Sequence, residues 1–180
     1  GYMHREARGV LPDVLAQLGI ENPILVGHSD GASIALIDAG MAQWPVRGVV
    51  AMAPHVFVED ISIASIAQAK VAFETTDLAQ KLGKYHRDPV KTFRGWNDIW
   101  LHPDFRAWNI EEVLPHVTCP VSAIQGEDDE YGTPAQVEAI RKQAAGEVEV
   151  LMLADCRHSP HKDQPQATLE AMAGFIERIS

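Results

Sequence analysis

Pro23-Ile24-Leu25-Val26-Gly27-His28-Ser29-Asp30-Gly31-Ala32-Ser33-Ile34-Ala35-Leu36-Ile37 is the stretch on which the fold turns. Its first half is a short continuous apolar run behind a Gly/Asn/Pro turn, the pattern of a strand buried on both faces. Its second half has helical spacing and stops at Gly40. Between them stands G-x-S-x-G, where the chain must pass from strand to helix in one sharp turn. A serine there takes a strained backbone conformation, and the flanking glycines let chain segments approach without Cβ clashes. The Ser29 hydroxyl is then expected above the carboxyl edge of a sheet. The Asp30 N–H, at the helix start, would face a developing oxyanion. A Gly/Ser turn joining strand and helix by chance is the competing account, and a strand and a helix both in register with the motif weigh against it.

Working outward, residues from Arg5 to Leu18 place Val10, Leu11, Val14, Leu15 and Leu18 on one helical face, with Gly19 as a natural stop. Pro12 should kink that helix or mark its true start. Gly48 to Met52, Pro120 to Ile124 and Val148 to Leu153 read as three further buried strands, with helices from Pro134 to Ala144 and from Gln166 to Ile179. Strand, helix, strand at these separations implies parallel pairing with right-handed crossovers, hence an α/β fold. Residues Pro54 to Pro115 break the rhythm. They carry no buried-strand signal but hold helical stretches near Ile61 to Phe73, Thr76 to Tyr85 and Pro89 to Trp100, together with Trp96, Trp100 and Trp108. The expected division is therefore a core of residues 1–53 and 116–180 with a helical cap insertion at 54–115, above Ser29.

A serine nucleophile needs a base, and the base an orienting acid, each delivered from a strand's carboxyl end to the same edge. After the third strand comes Gln125-Gly126-Glu127-Asp128-Asp129-Glu130-Tyr131-Gly132, and after the fourth Asp155-Cys156-Arg157-His158-Ser159-Pro160-His161. With Ser29, these supply Ser, Asp and His in that chain order. On these residues the chain resembles the α/β-hydrolases of the serine esterase type, from the elbow strand to the last helix. The resemblance implies a parallel-sheet α/β-hydrolase fold, represented by its C-terminal portion. It matches Ser29 to the nucleophile, Asp129 to the acid and His158 to the base, with the Asp30 N–H as an oxyanion donor. Asp129 is favoured over Asp128 because family members usually place the acid three residues after the turn glycine; Arg157 stands where they usually have glycine before the histidine. His161 is the alternative base.

The activity implied is hydrolysis of a small carboxylic ester through an acyl-enzyme, with no cofactor and no metal. A carbon-carbon bond hydrolase of the meta-cleavage type would use the same triad, and a catalytically vestigial binding or assembly module is the non-enzymatic alternative. Hydrolases of this type carry strands before the elbow strand and a loop with a second oxyanion donor, which have no counterpart here. A missing N-terminal segment or a homodimer is therefore expected to complete the sheet.

His28, His55, Phe57, Trp96 and Trp100 are candidates for the substrate pocket, although aromatics at helical spacing pack cores more often than they line pockets. Glu127, Asp128 and Glu130 read as a solvated acidic turn. A His158/His161/Asp163 metal site is disfavoured, because a metal would occupy the imidazole that the serine needs. The 180 residues are 46% hydrophobic and 22% charged, enough apolar mass for a globular core. Lys+Arg 15 against Asp+Glu 25 gives a net charge of −10, and no basic run of five or more occurs, so nucleic acid and anionic membranes are poor partners. No apolar stretch approaches the roughly 18 residues of a membrane span. Cys119 and Cys156 should lie at opposite sheet edges, about a strand length of 17 Å apart. A disulfide needs Cα atoms within about 7 Å, so none is expected, and a reduced, cytoplasmic protein is the default.

Overall fold

The computed structural model describes residues 1–41 and 43–180. Strands β1 (Ile24–His28), β2 (Gly48–Met52), β3 (Val121–Gly126) and β4 (Val148–Leu153) form one parallel sheet in chain order. The register aligns their carboxyl ends. His28 lies beside Met52, Met52 beside Ile124, and Gly126 beside Leu153. The turns that follow β1, β3 and β4 consequently leave the sheet at one edge, and those turns carry Ser29, Asp129 and His158.

β2 and β3 are buried at every position, the polar Ser122 and Gln125 of β3 included, as inner strands of a parallel sheet are. The outer strands differ from expectation. Val26 in β1 is 49% exposed, and five of the six β4 residues are half-buried. An apolar run fixes the strand but not its neighbours, and β1 pairs with β2 alone among the described residues.

The N-terminal helix departs further. It starts at Tyr2 as α1 (Tyr2–Arg5), passes through a wide π turn at Glu6–Val10, and continues as α2 (Leu11–Leu18), ending at Gly19 in the left-handed conformation. Pro12 has no N–H to give the Arg8 carbonyl, so the ladder widens just before it. A wide turn inserts an extra residue into the helical period. The inward face becomes Met3, Ala7 and Leu15, while Val10, Val14 and Leu18, expected beside Leu15 on the packing face, stand 47%, 45% and 67% exposed.

After the serine turn, α3 (Asp30–Met41) is buried on nearly all sides, Ala32, Ala35, Leu36 and Ile37 included, as befits an apolar helix of mostly small residues. Beyond β3 follows α7 (Ala135–Gln143), and beyond β4 follow a short α8 (Pro160–Asp163) and α9 (Pro165–Ile179). Phe175 of α9 joins Val50, Met52, Ile124, Leu153 and Cys156 in one apolar cluster. Complete burial of such a phenylalanine contributes about 1.5–3 kcal/mol. The cluster packs beneath β2, β3 and β4, which fixes the strand ends that lead to Asp129 and His158.

The chain divides into two compact units, Gly1–Phe57 with Asn109–Ser180, and Val58–Trp108. The second is helical, with α4 (Asp60–Thr75), α5 (Leu78–Leu82), α6 (Pro89–Trp100) and a 3-10 turn at Pro103–Ala107. Asp88 caps α6 by accepting the Lys91 N–H at 2.9 Å, and Pro89 takes the first helical position. Asn97 of α6 donates to the Ile66 carbonyl of α4 at 2.9 Å. Phe73 stacks on Phe93 at 4.0 Å, and Trp100 packs against Phe105 and Trp108 at 4.9 and 5.8 Å. The flanks of the segment expected as an insertion belong to the first unit, where Val56, Ile110 and Leu114 are wholly buried.

Candidate active site

β1 ends at His28 and α3 begins at Asp30, so Ser29 alone makes the turn, at φ +54°. A positive φ at a residue with a side chain is strained and persists only where the surroundings impose it. Here the Ser29 N–H donates to the Met52 carbonyl at 2.9 Å, and the Ser29 carbonyl accepts the Ala32 and Ser33 N–H groups at 2.9 and 3.2 Å. Gly27 makes the turn sterically possible. A Cβ at that position would lie 2.3 Å from the Gly31 carbonyl oxygen. Asp30 opens α3, which sets its N–H at the positive end of the helix. The Tyr2 hydroxyl of α1 donates to the Asp30 carboxylate.

In the turn after β3, Asp129 is buried and Asp128 exposed. Asp129 Oδ1 accepts the Tyr131 N–H at 2.8 Å and faces His158 Nδ1 at 2.9 Å, while Oδ2 accepts from Gln125 Nε2 at 3.3 Å. Burial pushes the Asp129 carboxyl up, but the hydrogen bond and charge of His158 and the Tyr131 N–H outweigh it, holding the group below the usual carboxylate range. Gln125, wholly buried at the end of β3, also donates to the Gly132 carbonyl at 2.8 Å and so shapes the turn from beneath.

His158 Nε2 stands 2.9 Å from Ser29 Oγ. An ionised Asp129 can only accept, so Nδ1 carries the imidazole proton and Nε2 is left to accept from the serine hydroxyl. The Tyr131 ring packs on the imidazole at 4.6 Å. The main chain that carries His158 crosses the end of β3 so closely that a Cβ on Gly126 would lie 2.0 Å from the Cys156 carbonyl oxygen. Ser29, His158 and Asp129 thus form a continuous hydrogen-bonded chain across three turns of one sheet edge.

The other expected residues divide. His28 Nε2 lies 2.6 Å from the His158 carbonyl oxygen. His55 is buried, with Nε2 3.0 Å from the Tyr131 carbonyl and its ring 5.7 Å from that of His158. Phe57 is half-buried, its carbonyl held by Gln136 Nε2 at 3.1 Å. Trp96 and Trp100 belong to the second unit, where Trp96 meets the edge of Phe93 and Trp100 packs its core. His161 is exposed, with its ring 5.0 Å from His28, and it is His158 that faces the serine. Among the described residues no group of three or more His, Cys, Asp and Glu could hold a metal ion. Cys119 and Cys156 are both free thiols, and burial with nearby carboxylates pushes Cys156 up to about 11.

Glu130 corrects the sequence expectation of a solvated acidic turn. Its side chain is 32% exposed, and its two oxygens meet the Arg157 guanidinium at 2.9 Å and the His158 N–H at 3.1 Å. Glu127 and Asp128 are exposed, as expected. Gln125, Glu130 and Tyr131 were not legible as site residues. Their only signal is closeness in sequence to Asp129.

A parallel sheet whose first strand passes through a strained serine into a buried helix, with an aspartate and a histidine following later strands, is the architecture of an α/β-hydrolase. The chain belongs to the alpha/beta hydrolase family, whose sequence model matches residues 2–171. Its fold is similar to that of VinJ, with TM-score 0.71 and 21% identity over 94% of this chain and 71% of that one. A carboxylesterase from the thaumarchaeon Nitrososphaera gargenis superposes with TM-score 0.77 at 16% identity, over 98% of this chain and 72% of that one. A thermophilic esterase from Thermogutta terrifontis gives TM-score 0.66 at 16% identity with the same coverage, 98% and 72%. Likenesses at this identity establish the fold. No curated protein matches the sequence at a significant level. No helix among the described residues is long and apolar enough to cross a membrane.

Proposed function

We propose that the protein is a serine hydrolase that cleaves a small carboxylic ester through an acyl-enzyme. The observation that carries this reading is the chain Ser29 Oγ, His158 Nε2, His158 Nδ1, Asp129 Oδ1, with both hydrogen-bonded separations at 2.9 Å and the serine at φ +54°. Nε2 takes the hydroxyl proton as Ser29 Oγ attacks the ester carbonyl carbon. The negative charge that appears on the carbonyl oxygen is stabilised at the start of α3 by the Asp30 N–H. Collapse of the tetrahedral species breaks the bond to the alcohol oxygen, which leaves with the proton from Nε2. Water then attacks the acyl-serine, giving its proton to Nε2, and the acid departs as Oγ is reprotonated. Asp129, held as a carboxylate, keeps the imidazole in the productive tautomer and stabilises the imidazolium in each half-reaction.

The cap role of the helical insertion belongs to the same proposal. If Trp96 helps to select the acyl group, Trp96→Ala changes the preference between short and long aryl esters; if it only packs its own unit, the substitution lowers stability and leaves the preference alone. The reaction itself is tested with p-nitrophenyl acetate. Release of nitrophenol by the wild type and its loss in Ser29→Ala support the proposal. Equal rates in the two proteins refute it.

A further inference from the structure

The imidazole of His158 sits on an irregular segment between β4 and α8, where a shift of the main chain would carry the base away from the serine. That main chain is held on both sides by side chains. Glu130 Oε2 accepts the His158 N–H at 3.1 Å, and His28 Nε2 lies 2.6 Å from the His158 carbonyl oxygen. A carbonyl can only accept, so His28 Nε2 carries a hydrogen and donates it. His28 immediately precedes Ser29, and Glu130 immediately follows Asp129. The backbone of the base is therefore tied to the neighbours in sequence of both its partners.

We propose that His28 and Glu130 are positioning residues that clamp the His158 main chain between the turns carrying the nucleophile and the acid, so that the three catalytic groups move as one. The proposal rests on reading Ser29, His158 and Asp129 as the catalytic triad, and it assigns a role to side chains that neither touch the reacting atoms nor belong to it.

Three further observations agree with the clamp. Arg157 directs its guanidinium to Glu130 Oε1 at 2.9 Å, leaving Oε2 on the His158 N–H. The Arg157 N–H donates to Asp163 Oδ2 at 2.9 Å, pinning the preceding peptide as well. The His28 ring lies 5.1 Å from that of His158 and 5.0 Å from that of His161, and burial holds it below the ordinary histidine value. A neutral ring is what that place requires, since an imidazolium there would oppose the charge His158 gains on taking the serine proton.

Four variants test the clamp. His28→Phe keeps a ring but removes the donor, and His28→Gln restores an N–H near the Nε2 position. Glu130→Ala removes the acceptor, whereas Glu130→Gln restores a neutral one that cannot pair with Arg157. With p-nitrophenyl acetate, His28→Phe and Glu130→Ala are expected to lower kcat by about tenfold or more with little change in KM, because a base misplaced by a fraction of an ångström slows chemistry rather than binding. Both glutamine variants are expected to recover most of the loss. Recovery in Glu130→Gln separates the bond to His158 from the ion pair, and Glu130, being partly exposed, remains informative if His28→Phe fails to fold. Ser29→Ala, probed with a fluorophosphonate, separates the two levels of the argument. If that variant is still labelled, the triad reading fails. If it is unlabelled while His28→Phe and Glu130→Ala turn over at the wild-type kcat, or the glutamine variants show no recovery, the triad stands and the clamp is wrong.

Discussion

Gly126 ends β3 directly under the main chain that carries His158, and replacing it by alanine tests whether that crossing sets the geometry of the base. An added Cβ would stand 2.0 Å from the Cys156 carbonyl oxygen and 2.4 Å from that of Arg157. Both are backbone atoms, so no side chain can swing aside. Real Cβ contacts essentially never fall under 3.0 Å, so the segment must retreat by about 1 Å. It cannot do so freely, because Asp128 N–H already holds the Cys156 carbonyl at 3.0 Å and Glu127 N–H the Leu153 carbonyl at 2.9 Å. A misplacement of about 1 Å at a catalytic group costs roughly a hundredfold in rate, equivalent to about 2.7 kcal/mol in the barrier. The assay is kcat for p-nitrophenyl acetate on protein whose folding is checked by circular dichroism, with Gly174→Ala in α9 as control. There the nearest atom to an added Cβ is the end of the flexible Arg178 side chain at 3.5 Å, and an alanine in a helix should raise stability by about 0.5–1 kcal/mol. A folded Gly126→Ala protein with wild-type kcat would show that the close crossing does not position the base.

Asp129→Asn should lower kcat by about two to four powers of ten, whereas Asp128→Asn, at an exposed position, should change it little; steady-state kinetics of the two variants decide between the carboxylates. Asp129 titrates below the usual carboxylate range in the folded protein, so its contribution to stability is complete above the unfolded value and is lost as pH falls through the folded one. Urea unfolding on acidification should therefore show a shallower loss of stability in Asp129→Asn than in the wild type. Trp100, 1% exposed against Phe105 and Trp108, should cost about 3–5 kcal/mol as Trp100→Ala, seen as faster hydrogen exchange in α6 and α4.

Local pattern carried much of the architecture, for identifiable reasons. Gly48 to Met52 sets Val49 and Val50 among small and apolar residues, Pro120 to Ile124 sets Val121 and Ile124 around Ser122 and Ala123, and both hold strands that are buried at every position. Pro89, with Asp88 before it, marks the start of α6 to the residue because a capping carboxylate and a fixed φ act within one turn. The apolar stripe of Val10, Val14 and Leu18 assumes one unbroken helical period, whereas the wide turn at Glu6–Val10, just before Pro12, shifts the register of that face. The half-burial of β1 and β4 depends on which strands lie beside them, and a strand's own sequence does not hold that information.

The site divides along the same line. Ser29 was legible because a strand, a glycine pair and a helix surround it within a dozen residues. Asp129 and His158 followed from their places after later strands. Glu130, by contrast, reads as one acid among several in an exposed turn, and its bonds to Arg157 and to His158, the latter 28 positions away, join separate turns. His28 reads as a pocket candidate, and no local pattern shows that its Nε2 bonds to the main chain of a residue 130 positions away. Contacts between loops brought together by sheet register leave no periodic trace.

Activation of Ser29 as a nucleophile by His158 is the step on which the proposed hydrolysis depends. It is tested most directly by treating the wild-type chain with a fluorophosphonate and locating the adduct by peptide mass spectrometry. One adduct per chain, on Ser29, that disappears in His158→Ala is the expected result. Labelling of another residue, or an unreactive Ser29 in folded protein, would contradict the account.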